Sequence, residues 1–272
     1  MSKLFSSNAA NRSLFVYAAI FSVFLYLPVL LIPLFSLNSG IYVKFPLDGL
    51  TFDWYLELAQ RAPLRTALYN SLQLGAVVAL ISTALAVPAA KAISRYRLPG
   101  IRLIVGFMML PFVVPALIFG VALLALVNRF DVTLSLVTVA AGQIVICLPY
   151  AISTLLPRFD TYDRSIEEAS ADLGENALWT FWRITVPTIG PGILASLLMS
   201  FTISFDEFYM AFFLSGTDAT LPIYIWTQLR FPQDFPSLLA LATLILIFSF
   251  GMVLASLKIS GLSQSIKNRG AK

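Results

Sequence analysis

Two acidic residues stand side by side in a stretch that is otherwise apolar: Asp206 and Glu207, within Ser204-Phe205-Asp206-Glu207-Phe208-Tyr209. A carboxylate placed in hydrocarbon costs roughly 2.5–3.5 kcal/mol or more, and it normally faces a cavity or a partner. Counted from Gly190, Asp206 lies about 24 Å along a helix that rises 1.5 Å per residue, toward the far side of a membrane. Successive side chains on a helix point about 100° apart. One of the two acids, Asp206 or Glu207, is therefore expected on a translocation path, with the other against a neighbouring helix or subunit. An acid pair that only holds helices together, or that marks a helix end nearer the outer interface, is the plainer alternative. An anionic path suits a cationic solute. Phe205 and Tyr209 could add ring faces to it, each attracting a cation by about 0.5–2 kcal/mol. The same aromatics could instead pack between helices or face lipid.

A second polar stretch, Glu168–Pro187, reads EASADLGENALWTFWRITVP. Its pattern predicts a short helix, a glycine break and a second, aromatic-rich helix. Ser165 and Glu168 have the spacing of a capping box, in which each side chain satisfies an orphan N–H at the helix start. Gly174 falls where a helix ends in a left-handed residue, a conformation that glycine adopts cheaply. A helix of about eight residues is marginal alone in water, so this one is expected to lean on another protein.

Enzyme chemistry is poorly supplied. The chain has no histidine and a single cysteine, Cys147, so thiolate metal sites and disulfide frameworks are excluded. There is no phosphate-binding loop of the G-x-x-x-x-G-K-S/T type, and no G-x-S-x-G, C-x-x-C or H-E-x-x-H. No catalytic residue, metal site or cofactor is expected, and ATP hydrolysis by the phosphate-loop route would have to reside on another chain.

The elements that must position these residues are membrane helices. Of 272 residues, 58% are hydrophobic and only 12% charged, against about 25% charged in soluble domains. Six apolar runs are read as spans: Leu14–Leu37, Thr66–Ala90, Leu103–Val127, Val132–Leu156, Ile189–Leu214 and Ser237–Leu257. Each is long enough for a layer that needs about 20 residues. The first run is too long for a signal peptide core, and no A-x-A-like cleavage site precedes Lys44, so it is read as an uncleaved span. Interior prolines such as Pro28, Pro111, Pro115 and Pro149 are tolerated in membrane helices. Thirteen of the 18 Lys and Arg residues fall on the side of both termini and the Glu168 loop, which the positive-inside rule assigns to the cytoplasm. That asymmetry explains the net charge of +4 without nucleic acid as a partner.

The chain divides into a cytoplasmic tail at 1–13, a six-span domain at 14–260 with a cytoplasmic loop at about 157–188, and a second tail at 261–272. Both tails are expected to be flexible. Two outer segments are long enough to carry structure. In Asn38–Arg65, Trp54 and Tyr55 suit an interface. In Ser215–Pro236, Thr220 is a candidate N-cap for a short helix running to Arg230. No period of 20 to 50 residues is present, and no inverted repeat of the kind common in secondary carriers.

Glu168-Ala169-Ser170, Gly174 and Ile184-Thr185-Val186-Pro187 have the spacing of the EAA loop of binding-protein-dependent ABC importer permeases, and the chain resembles that family. The family pattern is Glu-Ala-Ala, three residues, Gly, nine residues, Ile-x-Leu-Pro; Ser170 and Val186 depart from it conservatively. Ser-Phe-Asp-Glu-Phe followed by Thr220-Leu-Pro-Ile-Tyr-Ile-Trp is similar to the spermidine/putrescine subfamily, specifically its second permease-type subunit. Asn70-Ser71 also fits the wider family. The resemblance implies an all-α membrane protein of six transmembrane helices with the type I ABC importer permease fold. It implies that Glu168, Ala169, Gly174, Ile184 and Pro187 form the ATPase-coupling element. It further implies a second permease subunit, an ATPase homodimer that binds the ATP, an extracytoplasmic solute-binding protein and a place in the bacterial inner membrane. The cargo would be a polyamine or another small organic solute. A proton-coupled carrier or channel, with Asp206 or Glu207 as its proton site, is the rival class, and an assembly or scaffold protein a third.

Overall fold

The computed structural model describes residues 8–96, 99–248 and 250. The tail at 261–272, the start of the tail at 1–13 and the end of the sixth expected span (251–257) lie outside the described residues. The described residues are mostly helical, without a strand. They fall into two units, 62–224 and a second comprising the segments on either side.

In the second unit, helix α1 (Asn8–Ser36) carries Pro28 and Pro33, and from Leu14 to Leu30 its side chains are exposed. A helix apolar all round suits lipid or a protein neighbour. Beyond it, Asn38 organises the first outer segment. Its Oδ1 accepts from the Asp48 N–H at 2.9 Å, and its carbonyl accepts from Trp54 Nε1 at 2.8 Å. Tyr55 shares a 2.6 Å hydrogen bond with Ser36. Helix α2 (Asp53–Gln60) ends near Arg61, which bridges Glu57 and Asp234 at 2.6 Å each. Trp54 and Tyr55 thus fasten the segment through their polar ends.

The 62–224 unit is built on three long helices: α3 (Ala62–Arg95), α6 (Leu136–Asp160) and α9 (Val186–Asp206). Two shorter ones, α4 (Ile101–Met108) and α5 (Ala116–Arg129), precede α6. One core cluster joins Ala86, Val87 and Ala90 to Ala151, Ile152, Leu155, Phe159 and Ile189. Another joins Leu74 and Val78 to Val139, Cys147, Met210, Ala211 and Leu214. Hydrophobicity alone does not hold helices together in lipid, so close approach of small residues matters. Gly192, Ser196, Ser200 and Ser204 form a buried row on α9 at four-residue spacing. Ser196 meets Thr83 at 3.0 Å, and Ser204 donates to Gln143 Oε1 at 2.5 Å.

Four helices among the described residues are long and apolar enough to cross a membrane: Leu14–Ser36, Ala62–Arg95, Leu136–Asp160 and Ala177–Asp206. The expected third span, Leu103–Val127, is not one helix. It breaks after Met108 into a short 3-10 turn, Leu110–Phe112, and resumes at Ala116. Pro111 and Pro115 cause this, because each disfavours the helical region for the residue before it. The sixth is represented by a shorter apolar helix, Pro232–Phe248.

Gly192 tests the packing directly. A Cβ there would lie 2.7 Å from Arg158 Cγ on α6, whereas one at Gly190 would meet nothing. Gly192→Ala is expected to destabilise the bundle by about 1–3 kcal/mol through overpacking. Gly190→Ala should leave the thermal midpoint in detergent unchanged or slightly raised. Equal midpoints for the two variants would contradict this account.

Candidate coupling loop and transport path

Between α6 and α9 the chain leaves the bundle. Helix α7 (Ser165–Asp172) is preceded by Asp163, whose Oδ1 accepts the Ser165 N–H at 2.9 Å. The expected Ser165–Glu168 capping box is absent. The helix begins one residue earlier than that reading required, with Arg164 at the N-cap position, and the Asp163 carboxylate takes the first N–H. Glu168 instead pairs with Arg164 at 3.0 Å, with both side chains more than 60% exposed. Such surface pairs are worth about 0–1 kcal/mol.

The glycine break is as expected. Gly174 has φ +86. Its N–H bonds Ala171 O at 2.9 Å, and the Glu175 N–H bonds Ser170 O at 3.2 Å, the two-bond closure of a Schellman motif. Asn176 then caps helix α8 (Ala177–Thr180) by accepting the Trp179 N–H at 2.9 Å. Ser170, where the family pattern has alanine, is buried and shares a 2.8 Å hydrogen bond with Thr180.

The second loop helix is not separate from the fifth span. From α8 the chain passes through a π-helical turn, Phe181–Thr185, straight into α9, giving one helix over Ala177–Asp206. Pro187 follows this turn at once. Without an N–H it cannot make the i−4 bond, and its ring crowds the preceding turn, a setting in which π-bulges arise. Ile184 lies in the bulge, half-buried, and Pro187 is exposed.

The residues that hold the loop were not singled out from sequence. Glu167 accepts from Lys91 Nζ at 2.9 Å and from Thr185 Oγ1 at 2.6 Å. Arg95 donates to Tyr162 O at 2.9 Å and stacks on its ring. Burial pushes the Glu167 carboxyl up, but the hydrogen bonds from Thr185 and Lys91, with the charges of Lys91 and Arg95, hold it below its ordinary 4.5. Hydrogen bonds from Ser165 likewise lower Asp163, and burial raises the Tyr162 phenol. A groove of 330 Å³ is lined by Lys91, Arg95, Arg164, Glu167 and Glu168 among others. Outward from it stand Leu173, Leu178, Trp179 and Trp182, 52–87% exposed. Ala169 is exposed as well.

At the other end of α9 the expected continuous span Ile189–Leu214 is broken. Asp206 is the last helical residue, Glu207 is extended, and α10 (Tyr209–Leu214) starts anew. The Glu207 carboxylate accepts the N–H groups of Tyr209 at 2.9 Å and Met210 at 2.7 Å, so it caps α10. Asp206 is exposed, Phe205 half-buried and Tyr209 exposed. Phe205 stacks on Phe201, whose ring lies against Gly75. Phe213 lies against Gly120. The Phe201 and Phe213 rings thus pack between helices.

Thr220 does not cap the following helix, α11 (Leu221–Gln228). Its hydroxyl has no partner among the described residues, and Ser71 Oγ accepts the Leu221 N–H at 2.8 Å. Asn70 Nδ2 donates to Ala219 O at 2.9 Å. The Asn70-Ser71 pair thus straps the outer segment to α3.

Residues 82–259 match the family described as the binding-protein-dependent transport system inner membrane component. The chain belongs to this family. It is 28% identical over 257 residues, covering 94% of itself and 96% of the relative, to the spermidine/putrescine transport system permease protein PotC of Haemophilus influenzae. It is 33% identical over 231 residues, 82% of each chain, to the putrescine transport system permease protein PotI of Escherichia coli. Its fold is similar, with a TM-score of 0.72 at 18% identity, to a bacterial ABC transporter involved in import of the acidic polysaccharide alginate; the match covers 93% of this chain and 99% of that one. The all-helical fold is therefore that of an ABC importer permease.

Two outcomes follow for the loop. A left-handed residue with a side chain costs roughly 1–2 kcal/mol, and at Gly174 no neighbouring atom adds to this. Gly174→Ala should loosen the loop by that amount and Gly174→Asn by less, read as faster hydrogen exchange over 165–176. The stabilisation from Glu167, whose carboxyl is lowered, is complete above its ordinary 4.5 and lost as pH falls through the lower folded value. Fluorescence of Trp179 and Trp182, with Trp54 and Trp226 replaced by phenylalanine, should stay flat from about pH 8 to about pH 5 and change only below. A transition near neutrality would contradict the assignment.

Proposed function

We propose that this chain is one of two permease subunits of an ATP-driven importer that brings a polyamine, such as spermidine or putrescine, into the cytoplasm. An extracytoplasmic binding protein delivers the solute. A pair of ATPase subunits holds the ATP and meets the α7 loop from the cytoplasm, where both termini also lie. The observation that carries the reading is similarity to permeases named for spermidine and putrescine over 82–94% of the chain.

The geometry supports a division of labour. Glu168, Ala169 and Gly174 present α7 to the ATPase, with exposed Leu173, Leu178 and Trp182 available to a groove. Ile184 and Pro187 mark the bulge where the loop joins α9. ATP-driven displacement of α7 then moves a helix whose outer end bears Asp206. Because both oxygens of Glu207 hold α10, Asp206 is the acid left to the solute, with Phe205 and Tyr209 beside it.

The experiment is uptake into vesicles containing the whole transporter, with a panel of polyamines and unrelated solutes. Polyamine uptake should require ATP and the binding protein. Asp206→Asn should lower it about tenfold or more, a loss of about 1.4 kcal/mol, while the ATPase still co-purifies. Uptake by this chain alone on a proton gradient would sink the proposal in favour of a secondary carrier. Preference for another solute class would keep the importer and remove the polyamine.

A further inference from the structure

The coupling loop is fastened to the second span as well as to the fifth. Lys91 lies near the cytoplasmic end of α3, Glu167 in the first turn of α7 and Thr185 at the end of the π-turn. A single oxygen, Glu167 Oε1, receives Lys91 Nζ at 2.9 Å and Thr185 Oγ1 at 2.6 Å. The Lys91 ammonium also stands 5.4 Å from the centre of the Phe181 ring. The Lys91 and Glu167 side chains are only 23% and 18% exposed, whereas the Arg164–Glu168 and Arg183–Glu175 pairs range from 41% to 66%. A pair shielded to this degree is little screened by salt, and its geometry is reinforced by a second hydrogen bond, from Thr185.

Covalent connection takes a push on α7 into α6, through residues 161–164, and into α9, through Gly174 and the π-turn, but not into α3. Helix α3 ends far away in sequence, at Arg95. What reaches it from α7 directly is this ion pair, and the same carboxylate grips the bulge, the point in α9 where hydrogen-bond register is already altered. We propose that Lys91, Glu167 and Thr185 form a positioning clamp that carries displacement of α7 into the second span, so that the second and fifth spans move together. The clamp rests on the reading of α7 as the ATPase-contacting element. Its members touch neither solute nor nucleotide.

The test uses the complete transporter in vesicles and reads ATP hydrolysis and solute uptake in parallel, with ATPase recovery on purification as a third measurement. Lys91→Met, Glu167→Gln and Thr185→Val should each keep the ATPase bound and hydrolysing, while solute carried per ATP falls about fivefold or more, the scale of a coupling between sites. The exchange Lys91→Glu with Glu167→Lys should recover much of that ratio, since it restores opposite charges across the same gap. An unchanged ratio in the single variants would overturn the clamp alone. So would an exchange no better than the singles, or loss of the ATPase from Glu167→Gln, which would make the triad part of the docking face. A wild-type chain that recovers no ATPase overturns the functional reading, and the clamp with it.

Discussion

Hydrocarbon offers no hydrogen bonds, so a backbone that leaves the helix inside it must be satisfied by the protein itself. The half of the 62–224 unit that holds α10 meets that requirement. Where α9 stops, Glu207 turns back to take the first free N–H groups of α10. Where α10 stops, the Leu214 carbonyl receives the Thr138 hydroxyl at 2.7 Å and the Ser135 N–H at 3.1 Å. Where α11 starts, Ser71 takes the Leu221 N–H, and Asn70 holds the carbonyl two residues before it. The first repair is local and the other two reach across to another helix, so those breaks also knit the unit together.

The half that carries α7 works by a different rule, since its charged side chains are partly exposed. Surface ion pairs at Arg164–Glu168 and Arg183–Glu175 contribute little. The half-buried Lys91–Glu167 pair is another matter, since removing one partner strands a poorly hydrated charge. The loop is thereby held to the bundle through Glu167 and through the Arg95–Tyr162 contact, while apolar side chains such as Leu173 and Leu178 stay exposed. The two halves are joined by α3, α6 and the helix from Ala177 to Asp206, the last about 45 Å long at the standard rise.

Much of this was legible in the sequence where a residue acts locally. Gly174 announces a left-handed turn whatever surrounds it, and the apolar runs announce spans. Long-range features were less legible. Pro149, Pro157 and Pro191 sit inside unbroken helices, while Pro111 and Pro115, four residues apart, break theirs; proline content alone does not separate the cases. Asp163 and Ser165 are both good caps, and their choice depends on how α6 delivers the chain. Glutamate is not among the preferred caps, so Glu207 gave no local sign of its task. The signal that could have been read is the row Gly192, Ser196, Ser200, Ser204, whose spacing marks a packing face. Glu167 was hidden by its neighbour Glu168, because which of two adjacent acids turns inward is decided by Lys91, 76 residues away.

The break after Asp206 also gives the two acids unequal surroundings. Glu207 has an extended backbone and two N–H donors, which satisfy a carboxylate well. Asp206 ends a long helix, where unpaired carbonyls already concentrate partial negative charge. A carboxylate there is repelled by its own backbone until a cation arrives. The end of α9 therefore favours positive charge more strongly than an isolated aspartate would. On the proposed function, this is the place where a protonated amine would relieve an electrostatic cost that the fold itself imposes.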